Sequence, residues 1–347
     1  MRRVHIQLAP AYDVLIGEGA LSQLLPFPGR LALVVDAEVQ RLHGERIALQ
    51  LGDRPREVFT MPSGERNKTL RTAEGLYDWL AANRFERGEA IVSIGGGVSG
   101  DLTGFVAATW RRGVAFVQVP TTLLAQVDAS VGGKVAVDHA SGKNLIGAFH
   151  QPRQVLADVG FLKTLPLREM WAGLAEVAKT ALLCGDPLFT RTSSTLEALA
   201  RGQEPLEEVI AGCVAFKAGV VQRDPLEHGE RAILNLGHTI GHALETVGGY
   251  ERFLHGEAVA YGLRASLALS GIPQTSPAWS LVRALRVPPL GRLDVNDVLA
   301  AMQGDKKVVG GRIKFVLLDG IGRPRWNCDV PPERVREVVQ QLLDGEI

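Results

Sequence analysis

The chain has few cysteines, no excess of charge of either sign and no long apolar run. Its 347 residues include only Cys184, Cys213 and Cys328. They lie far apart, without C-x-x-C spacing and without the density of a disulfide framework. The 38 basic and 38 acidic residues cancel, whereas a general nucleic-acid or membrane-surface binder would carry excess Lys and Arg. We therefore expect no nucleic-acid or membrane partner, and a local pocket for any charged ligand.

The N-terminal sequence and the apolar runs indicate a soluble protein. The opening MRRVHIQLAP has no apolar stretch of about 7–15 residues, which a secretory signal requires. Apolar runs such as Leu31 to Val35 are far shorter than the roughly 18 residues that indicate a membrane span. We expect a cytoplasmic location. The length corresponds to about two domains, and the 39 glycines exceed the usual share of about 7%.

The two halves of the sequence have different patterns of secondary structure. In the first half, β-rich runs alternate with helical patterns, which predicts a doubly wound, mostly parallel sheet. After about Lys163 the chain becomes a series of amphipathic helices, interrupted by one β-like stretch, Ile313 to Leu318. We therefore predict an α/β domain over 1–163 and a mainly α-helical domain over 164–347. The predicted strands cover Leu31 to Asp36, Glu57 to Thr60, Ala90 to Ile94, Val114 to Val119 and Gln154 to Val159; the predicted helices between them include Lys68 to Asn83 and Asp101 to Trp110.

A glycine-rich turn, GGGVSGD at 95–101, follows an apolar strand and opens a helical pattern. Gly95, Gly97 and Gly100 have G-x-G-x-x-G spacing, which lets a backbone approach a phosphate at a helix start. A standard dinucleotide fingerprint lies on the first strand and has an acid about 20 residues later. Here the turn comes late, and Asp36 lies upstream. Cofactor binding and a tight strand–helix turn both fit this segment.

The segment ERAILNLGHTIGHALE at 230–245 predicts one helix with a polar stripe. At about 100° per residue, five polar side chains share a sector roughly 80° wide. Such a stripe in an otherwise apolar helix must contact solvent, a ligand or partner side chains, because unpaired burial is costly. A solvated face is normally rich in Lys and Glu, which fits this stripe poorly. Its members are Arg231, Asn235, His238, His242 and Glu245.

Two histidines four residues apart on this segment resemble the metalloprotease helix H-E-x-x-H, but Thr239 occupies the Glu position, so that interpretation fails. Another histidine, His255, begins the next helical pattern, and Glu176 lies in a helix predicted over Arg168 to Leu183. Two histidines and one carboxylate form a typical catalytic zinc set. Spacing alone does not show that they converge.

Lysines recur in glycine turns and apolar helices. Lys134 follows two glycines, Lys143 follows Ser141-Gly142, Lys179 follows Glu176 by three residues, and Lys217 lies in an apolar helix predicted over Leu206 to Val221. Together they could form an anion pocket. Surface lysines that bury only their aliphatic stems explain each of them equally well.

These segments together resemble the 3-dehydroquinate synthase family of sugar-phosphate cyclases. The resemblance covers most of the chain, in matching order: PSGERNK, GGGVSGDLTGFVAATWRRG, VPTTLLAQVDASVGGKVAVD, GKNLIGAFHQP, FLKTLP, GLAEVAK, RAILNLGHTIGHALE, LHGEAVA and DKK. It implies a Rossmann-like NAD domain, a helical metal-binding domain and a homodimer. Val135, where a threonine is common, is a departure near the implied pocket.

The resemblance also implies roles for individual residues. Zinc or cobalt would be bound by Glu176, His238 and His255. NAD would be bound by Asp36, Glu65, Lys68, Gly96, Gly97, Val98, Asp101, Thr121, Thr122, Lys143, Phe161, Leu162 and Thr164. The catalytic and substrate-binding residues would be Asp128, Lys134, Asn144, Lys179, Lys217, Arg231, Asn235, His242, one of Lys306 and Lys307, and Arg112, which would reach the neighbouring subunit's phosphate pocket.

The implied reaction converts 3-deoxy-D-arabino-heptulosonate 7-phosphate to 3-dehydroquinate and phosphate, with NAD regenerated in each turnover. Two other activities fit parts of the pattern. Another sugar-phosphate cyclase would make an inosose or a valiolone, but Arg231, Asn235 and Lys217 suit a carboxylate-bearing substrate. A metal-dependent alcohol or glycerol dehydrogenase would accumulate NADH and would not need so many basic residues.

Overall fold

The structure, a computed structural model, describes residues 1–303, 308–309 and 312–347. The chain forms two compact units. The first, the α/β unit, comprises residues 1–165 and 206–226, and the second, the helical unit, comprises 166–205 and 227–347. No helix in the described ranges is both long and apolar enough to cross a membrane.

The α/β unit contains nine strands and four helices among its described residues. Its strands are β1 (Arg2–Ile6), β2 (Tyr12–Ile16), β3 (Leu31–Asp36), β4 (Arg56–Met61), β5 (Ala90–Gly95), β6 (Ala115–Pro120), β7 (Lys134–His139), β8 (Gly142–Phe149) and β9 (Gln154–Ala157). Its helices are α1 (Ala37–Leu51), α2 (Leu70–Ala82), α3 (Gly97–Thr109) and, from the second stretch, α6 (Glu207–Arg223).

Seven of these strands form one sheet in the order β1-β2-β9-β6-β5-β3-β4, parallel except for β1. The run LALVVD of β3 has no polar face because both faces of the sheet are covered. Ala32 and Val34 join one core with α2 and α3, whereas Leu33 and Val35 join another with α1. The predicted doubly wound sheet is confirmed.

Three features of this unit differ from the prediction or were not predicted. The edge strand β1, its neighbour β2 and the antiparallel hairpin β7–β8 were not identified in the sequence. Helix α6 was assigned to the helical part, but here it groups with the α/β unit because it packs against β1 and β2. The Gln222 side chain, for example, accepts a hydrogen bond from the backbone N–H of Gln7 (2.6 Å).

The helical unit consists mainly of seven helices in its described residues. They are α4 (Leu167–Cys184), α5 (Leu188–Ala200), α7 (His238–Val247), α8 (His255–Leu269), α9 (Pro277–Ala284), α10 (Val295–Gln303) and α11 (Pro332–Leu343). Two antiparallel pairs accompany them, β10 (Val308–Val309) with β11 (Arg312–Ile313) and β12 (Phe315–Leu318) with β13 (Pro324–Cys328).

The backbone of helix α8 packs directly against the backbone of two neighbouring segments. A Cβ atom on Gly256 would lie 1.9 Å from the carbonyl oxygen of Ala172 in α4, and one on Gly262 would lie 1.8 Å from that of Gly237. Neither position has room for any side chain. The two glycines therefore allow α8 to bring its first residue, His255, next to the side chains of α4 and α7.

The single helix predicted over 230–245 is wrong. Residues Glu230–Asn235 form a 3-10 helix, Leu236 is extended, Gly237 has φ +80°, and α7 begins only at His238. Glycine accepts this left-handed conformation without strain, so the chain can turn there. The predicted 80° stripe therefore does not exist as one helical face, although His238, His242 and Glu245 do lie together on α7.

Candidate active site

The sheet order explains why the acid lies upstream of the glycine turn. Strand β3 pairs with β4 on one side and with β5 on the other, so the chain changes direction between β3 and β5. In open α/β sheets, ligands bind at the carboxyl ends of the strands at such a switch point. Asp36 ends β3 and Gly95 ends β5. A Cβ atom on Gly95 would lie 3.1 Å from that of Asp36.

The glycines of the turn serve two purposes. A Cβ on Gly95 would lie 2.4 Å from the Ser99 hydroxyl, and one on Gly100 would lie 2.7 Å from the Gln118 side-chain oxygen, so internal packing requires both glycines. Gly96 and Gly97 have more room, with nearest approaches of 3.2 and 3.5 Å. They form the start of α3, a helix with no side-chain cap and no acidic residue in its first turn. Free N–H groups at an uncapped helix start suit a pyrophosphate.

Lys68 is a buried cation that joins two neighbouring segments. Its Nζ donates hydrogen bonds to Asp101 Oδ2 (2.5 Å) and to Asn144 Oδ1 (2.6 Å), and the residue is only 4% exposed. Burial lowers the pKa of Lys68, but the charges of Asp101 and Glu65 outweigh this effect and raise it. The ammonium is therefore charged. The resemblance assigns Lys68 and Asp101 to NAD and Asn144 to the substrate, and the structure brings all three together.

The other residues implied for NAD lie on the loops that follow the strands. Asp36 caps α1, its Oδ1 accepting hydrogen bonds from the Glu38 and Val39 N–H groups. Lys143 Nζ lies 3.4 Å from a carboxylate oxygen of Glu65. Further along the chain, Thr121, Thr122 and the 3-10 helix Val159–Thr164 follow β6 and β9; that helix contains Phe161, Leu162 and Thr164.

Two residues implied for the substrate, Asp128 and Lys217, form an ion pair within the α/β unit. Asp128 lies in a single π-helical turn, Ala125–Ala129, a feature often found at functional sites. Lys217 Nζ donates hydrogen bonds to its side chain (2.6 Å) and to its backbone carbonyl (2.7 Å). Lys134 is exposed at the start of β7. Arg112 is exposed at the end of a 3-10 turn with φ +67°.

Glu176, His238 and His255 converge in the helical unit. The side chain of Glu176 is fully buried on α4. Its Oε1 lies 3.5 Å from His238 Nε2 and 3.3 Å from His255 Nε2. One ligand atom from each of the three residues fits within 4.8 Å of the others. Metal–ligand bonds of about 2.1 Å place the ligand atoms of a tetrahedral site about 3.4 Å apart, so the two measured distances fit such an ion.

The surroundings of the cluster also suit a metal. His238 Nδ1 lies 3.0 Å from the backbone carbonyl of Leu236, and His255 Nδ1 lies 3.1 Å from Glu245 Oε2. Histidine ligands commonly donate their second N–H to such acceptors. Burial lowers the pKa of His255, but hydrogen bonds to Glu176 and Glu245 outweigh it and raise the pKa to about 10. Metal binding must therefore displace a proton from this ring.

Two other predicted residues, Lys179 and His242, contact this cluster, and two more, Arg231 and Asn235, lie in the same unit. Lys179 forms an ion pair with Glu176 through Oε2 and is almost fully buried. His242 lies one turn after His238, with the two ring centroids 5.3 Å apart. Arg231 is buried, and Asn235 donates a hydrogen bond to Glu227 Oε1 (3.1 Å). The predicted Lys306 and its neighbour Lys307 lie outside the described residues.

The structure adds three carboxylates to which the sequence analysis gives no role. Glu227 contacts Asn235, Glu245 contacts His255, and Asp138 Oδ1 accepts a hydrogen bond from the Asn144 N–H (2.8 Å). Of these, only Glu245 had a sequence signal, since it belongs to the polar stripe. The contacts of the other two depend on turns that spacing does not reveal.

Comparisons with known proteins cover nearly the whole chain. A family model described as 3-dehydroquinate synthase N-terminal matches residues 58–172, and one described as 3-dehydroquinate synthase C-terminal matches 173–308. The 3-dehydroquinate synthase of Paracoccus denitrificans (strain Pd 1222) is 43% identical over 360 residues, covering 97% of this chain and 98% of that protein.

Solved structures share the fold over the same length. A 2-deoxy-scyllo-inosose synthase complexed with carbaglucose-6-phosphate, NAD⁺ and Co²⁺ has a TM-score of 0.90 at 28% identity, covering 98% of this chain and 100% of that one. The 2-epi-5-epi-valiolone synthase of Streptomyces hygroscopicus subsp. jinggangensis 5008, with NAD⁺ and Zn²⁺ bound, has a TM-score of 0.88 at 27% identity, covering 96% and 97%.

Proposed function

The chain belongs to the 3-dehydroquinate synthase family, and we propose that it converts 3-deoxy-D-arabino-heptulosonate 7-phosphate to 3-dehydroquinate and phosphate. This reaction eliminates phosphate by cleavage of a carbon–oxygen bond, without net oxidation or reduction, so the enzyme is a carbon–oxygen lyase. It belongs to the shikimate pathway, which leads to chorismate and the aromatic amino acids.

One observation carries the proposal: similarity to this family over 97% of the chain coincides with the Glu176–His238–His255 cluster. The similarity also favours this activity over the other cyclases. Identity is 43% with the 3-dehydroquinate synthase of Paracoccus denitrificans, but 28% and 27% with the inosose and valiolone synthases. Buried Arg231 and the amide of Asn235 are suitable groups for a substrate carboxylate.

We assign the metal to Glu176, His238 and His255, and NAD to the glycine turn and the thirteen residues named above for it. Bound NAD would accept and return a hydride, and bound Zn²⁺ or Co²⁺ would lower the pKa of the substrate hydroxyl. The structure supports these assignments through the tetrahedral spacing around Glu176 and the uncapped start of α3 at Gly97.

The chain's own residues would bind the substrate and move protons. We assign His242 as the proton-transfer residue, because its imidazole lies beside two ligand rings and histidine titrates near neutral pH. Lys134, Asn144 and Arg231 would bind phosphate and carboxylate. Lys217 is held by Asp128, so its ammonium is already oriented before substrate binds.

We also propose a cytoplasmic homodimer in which Arg112 contributes to the phosphate site of the neighbouring subunit. Light scattering would measure the dimer. If the two subunits share a site in this way, an Arg112→Ala protein mixed with an inactive His242→Ala protein should recover activity in the mixed dimers. A mixture that shows no recovery although subunits exchange would contradict the shared site.

One assay tests the activity. The purified protein is incubated with heptulosonate phosphate, Zn²⁺ and catalytic NAD⁺, while phosphate release and NADH absorbance are followed. We expect stoichiometric phosphate without lasting NADH. Persistent NADH would instead identify a dehydrogenase. No reaction with the heptulosonate phosphate, but turnover of glucose 6-phosphate, would identify an inosose-type cyclase.

Two variants test the assigned roles separately. His242→Ala should slow turnover about 10²–10⁴-fold while zinc content stays normal; coincident zinc loss would show that His242 is a ligand. Glu176→Gln should lose both metal and activity while its circular dichroism stays unchanged. Full metal retention in that variant would contradict the proposed ligand set.

A further inference from the structure

Glu245 is a buried carboxylate to which the proposed function gives no role. It lies on α7 and is only 3% exposed. Burying a carboxylate is costly unless it is paired and hydrogen-bonded. Its Oε2 lies 3.1 Å from His255 Nδ1, within hydrogen-bond distance. A partner of Glu245 is thus the imidazole of His255, which is one of the proposed metal ligands.

The two nitrogens of His255 face different carboxylates. Nε2 faces Glu176 at 3.3 Å, and Nδ1 faces Glu245 at 3.1 Å. His238 has the same arrangement, with Nδ1 against the Leu236 carbonyl and Nε2 towards Glu176. An acceptor at Nδ1 holds a proton there, so the lone pair of the neutral ring lies on Nε2. Both imidazoles are therefore oriented to offer Nε2 at the same point.

We propose that Glu245 is a positioning residue for the metal site: it fixes the Nδ1–H tautomer of His255, and its charge makes Nε2 a stronger ligand. The inference rests on the proposed function, because it takes Glu176, His238 and His255 as the ligands. Outer-shell partners of this kind typically change metal affinity by about 10–100-fold. Glu245 would therefore determine how tightly the metal is held without touching it.

A second arrangement of the same residues must be distinguished from this one. His242, Glu245 and His255 also lie close enough to hold an ion, which would make Glu245 a ligand. In that case, Glu245 would coordinate the ion together with His255, whose Nδ1 faces it. The buried Glu176 and its two distances near a tetrahedral edge favour the first set. In the first arrangement, His238→Ala should lose the metal and His242→Ala should keep it; the second arrangement predicts the reverse.

The experiment measures metal binding by the full-length protein after removal of metal with a chelator. Zn²⁺ affinity is obtained by competition with a chromophoric chelator, and the visible spectrum of bound Co²⁺ reports the ligand set. The variants are Glu245→Ala, Glu245→Gln, His238→Ala and His242→Ala. Glu251→Ala, in an exposed position before His255, is the matched control.

We expect Glu245→Ala to weaken Zn²⁺ binding about 10–100-fold with little change in the Co²⁺ spectrum. Glu245→Gln, which keeps an acceptor oxygen for Nδ1–H, should recover part of the affinity. Glu251→Ala and His242→Ala should bind metal as the parent does. If Glu245→Ala does not fold, the Gln variant decides, since loss of the charge alone should still weaken binding measurably.

Two results would overturn the positioning role and leave the proposed function standing: parent affinity in both Glu245 variants, or a Co²⁺ spectrum that shows one ligand lost in Glu245→Ala. Metal loss in His242→Ala with retention in His238→Ala would place the ion in the second arrangement. That outcome would overturn the ligand set, and the positioning role with it.

Discussion

Removing the carboxylate of Asp101 should destabilise the α/β unit because it leaves the Lys68 ammonium buried with one partner fewer. The Lys68 side chain is 5% exposed and that of Asp101 is 20% exposed. Nζ would keep its hydrogen bond to Asn144 Oδ1. The structure therefore predicts an asymmetric pair, in which losing the acid costs more than losing the base.

The loss of unfolding free energy in each variant depends on which hydrogen-bond partners the remaining charged group keeps. Breaking a buried ion pair by removing one partner costs about 3–5 kcal/mol. With Asn144 still in place, we expect the lower end, about 3 kcal/mol, for Asp101→Ala. In Lys68→Met the more exposed carboxylate can bind water, so we expect about 1–2 kcal/mol. The double variant should resemble Lys68→Met, so the coupling energy should equal the cost of Asp101→Ala alone, about 3 kcal/mol.

Urea unfolding of the parent, both single variants and the double variant would measure these free energies. Circular dichroism and tryptophan fluorescence should be followed separately, because two units need not unfold together. The reasoning fails if Asp101→Ala unfolds at the urea concentration of the parent, or if Lys68→Met is the more damaging change. Isothermal titration with NAD⁺ would test the cofactor role, and unchanged affinity in Asp101→Ala would refute it.

Three further changes test other parts of the structure. A Cβ on Gly104 would lie 2.3 Å from Val135 Cγ1 and 2.9 Å from Phe116 Cε1, so Gly104→Ala should cost about 1–3 kcal/mol of unfolding free energy. Adding Val135→Ala removes the closer of these clashes and should recover part of that cost, as measured by urea unfolding. Burial lowers the pKa of His150 from 6.5, so below this pH the unfolded chain binds more protons than the folded one. The free energy of unfolding should therefore fall as the pH drops below 6.5. In urea unfolding, His150→Gln should make this pH dependence weaker. Asp138→Ala removes the acceptor for the Asn144 N–H, so we expect kcat to fall while NAD affinity stays that of the parent. An unchanged kcat would contradict a role of Asp138 in positioning Asn144.

The sheet could be predicted where its strands are buried on both faces. Strands β3 and β5 are continuous apolar runs, and in the structure each is paired with a strand on both sides. The edge strand β1, with the sequence RRVHI, is mostly exposed and carries charged residues, so it gives no such signal. The hairpin β7–β8 is likewise hidden in a glycine-rich stretch whose turns look like surface loops.

The site could be predicted only in part because its ligands come from distant segments. Nothing in the spacing of Glu176, His238 and His255 shows that they converge; that expectation came from the family resemblance. What brings them together is backbone contact at Gly256 and Gly262. A glycine inside a helical pattern ordinarily indicates a weak helix, and its role in close packing is visible only when the neighbouring helix is known.

The polar stripe correctly predicted polar side chains with polar partners, although the helix that defined it is broken. Burying an unpaired polar group is costly whether or not Gly237 continues the helix. Each buried member of the stripe must be paired in any fold. His238 and Glu245 accordingly contact other polar groups, the Leu236 carbonyl and His255. The type of residue thus predicted that each buried side chain has a polar partner, whereas the backbone conformation determined which partner it contacts.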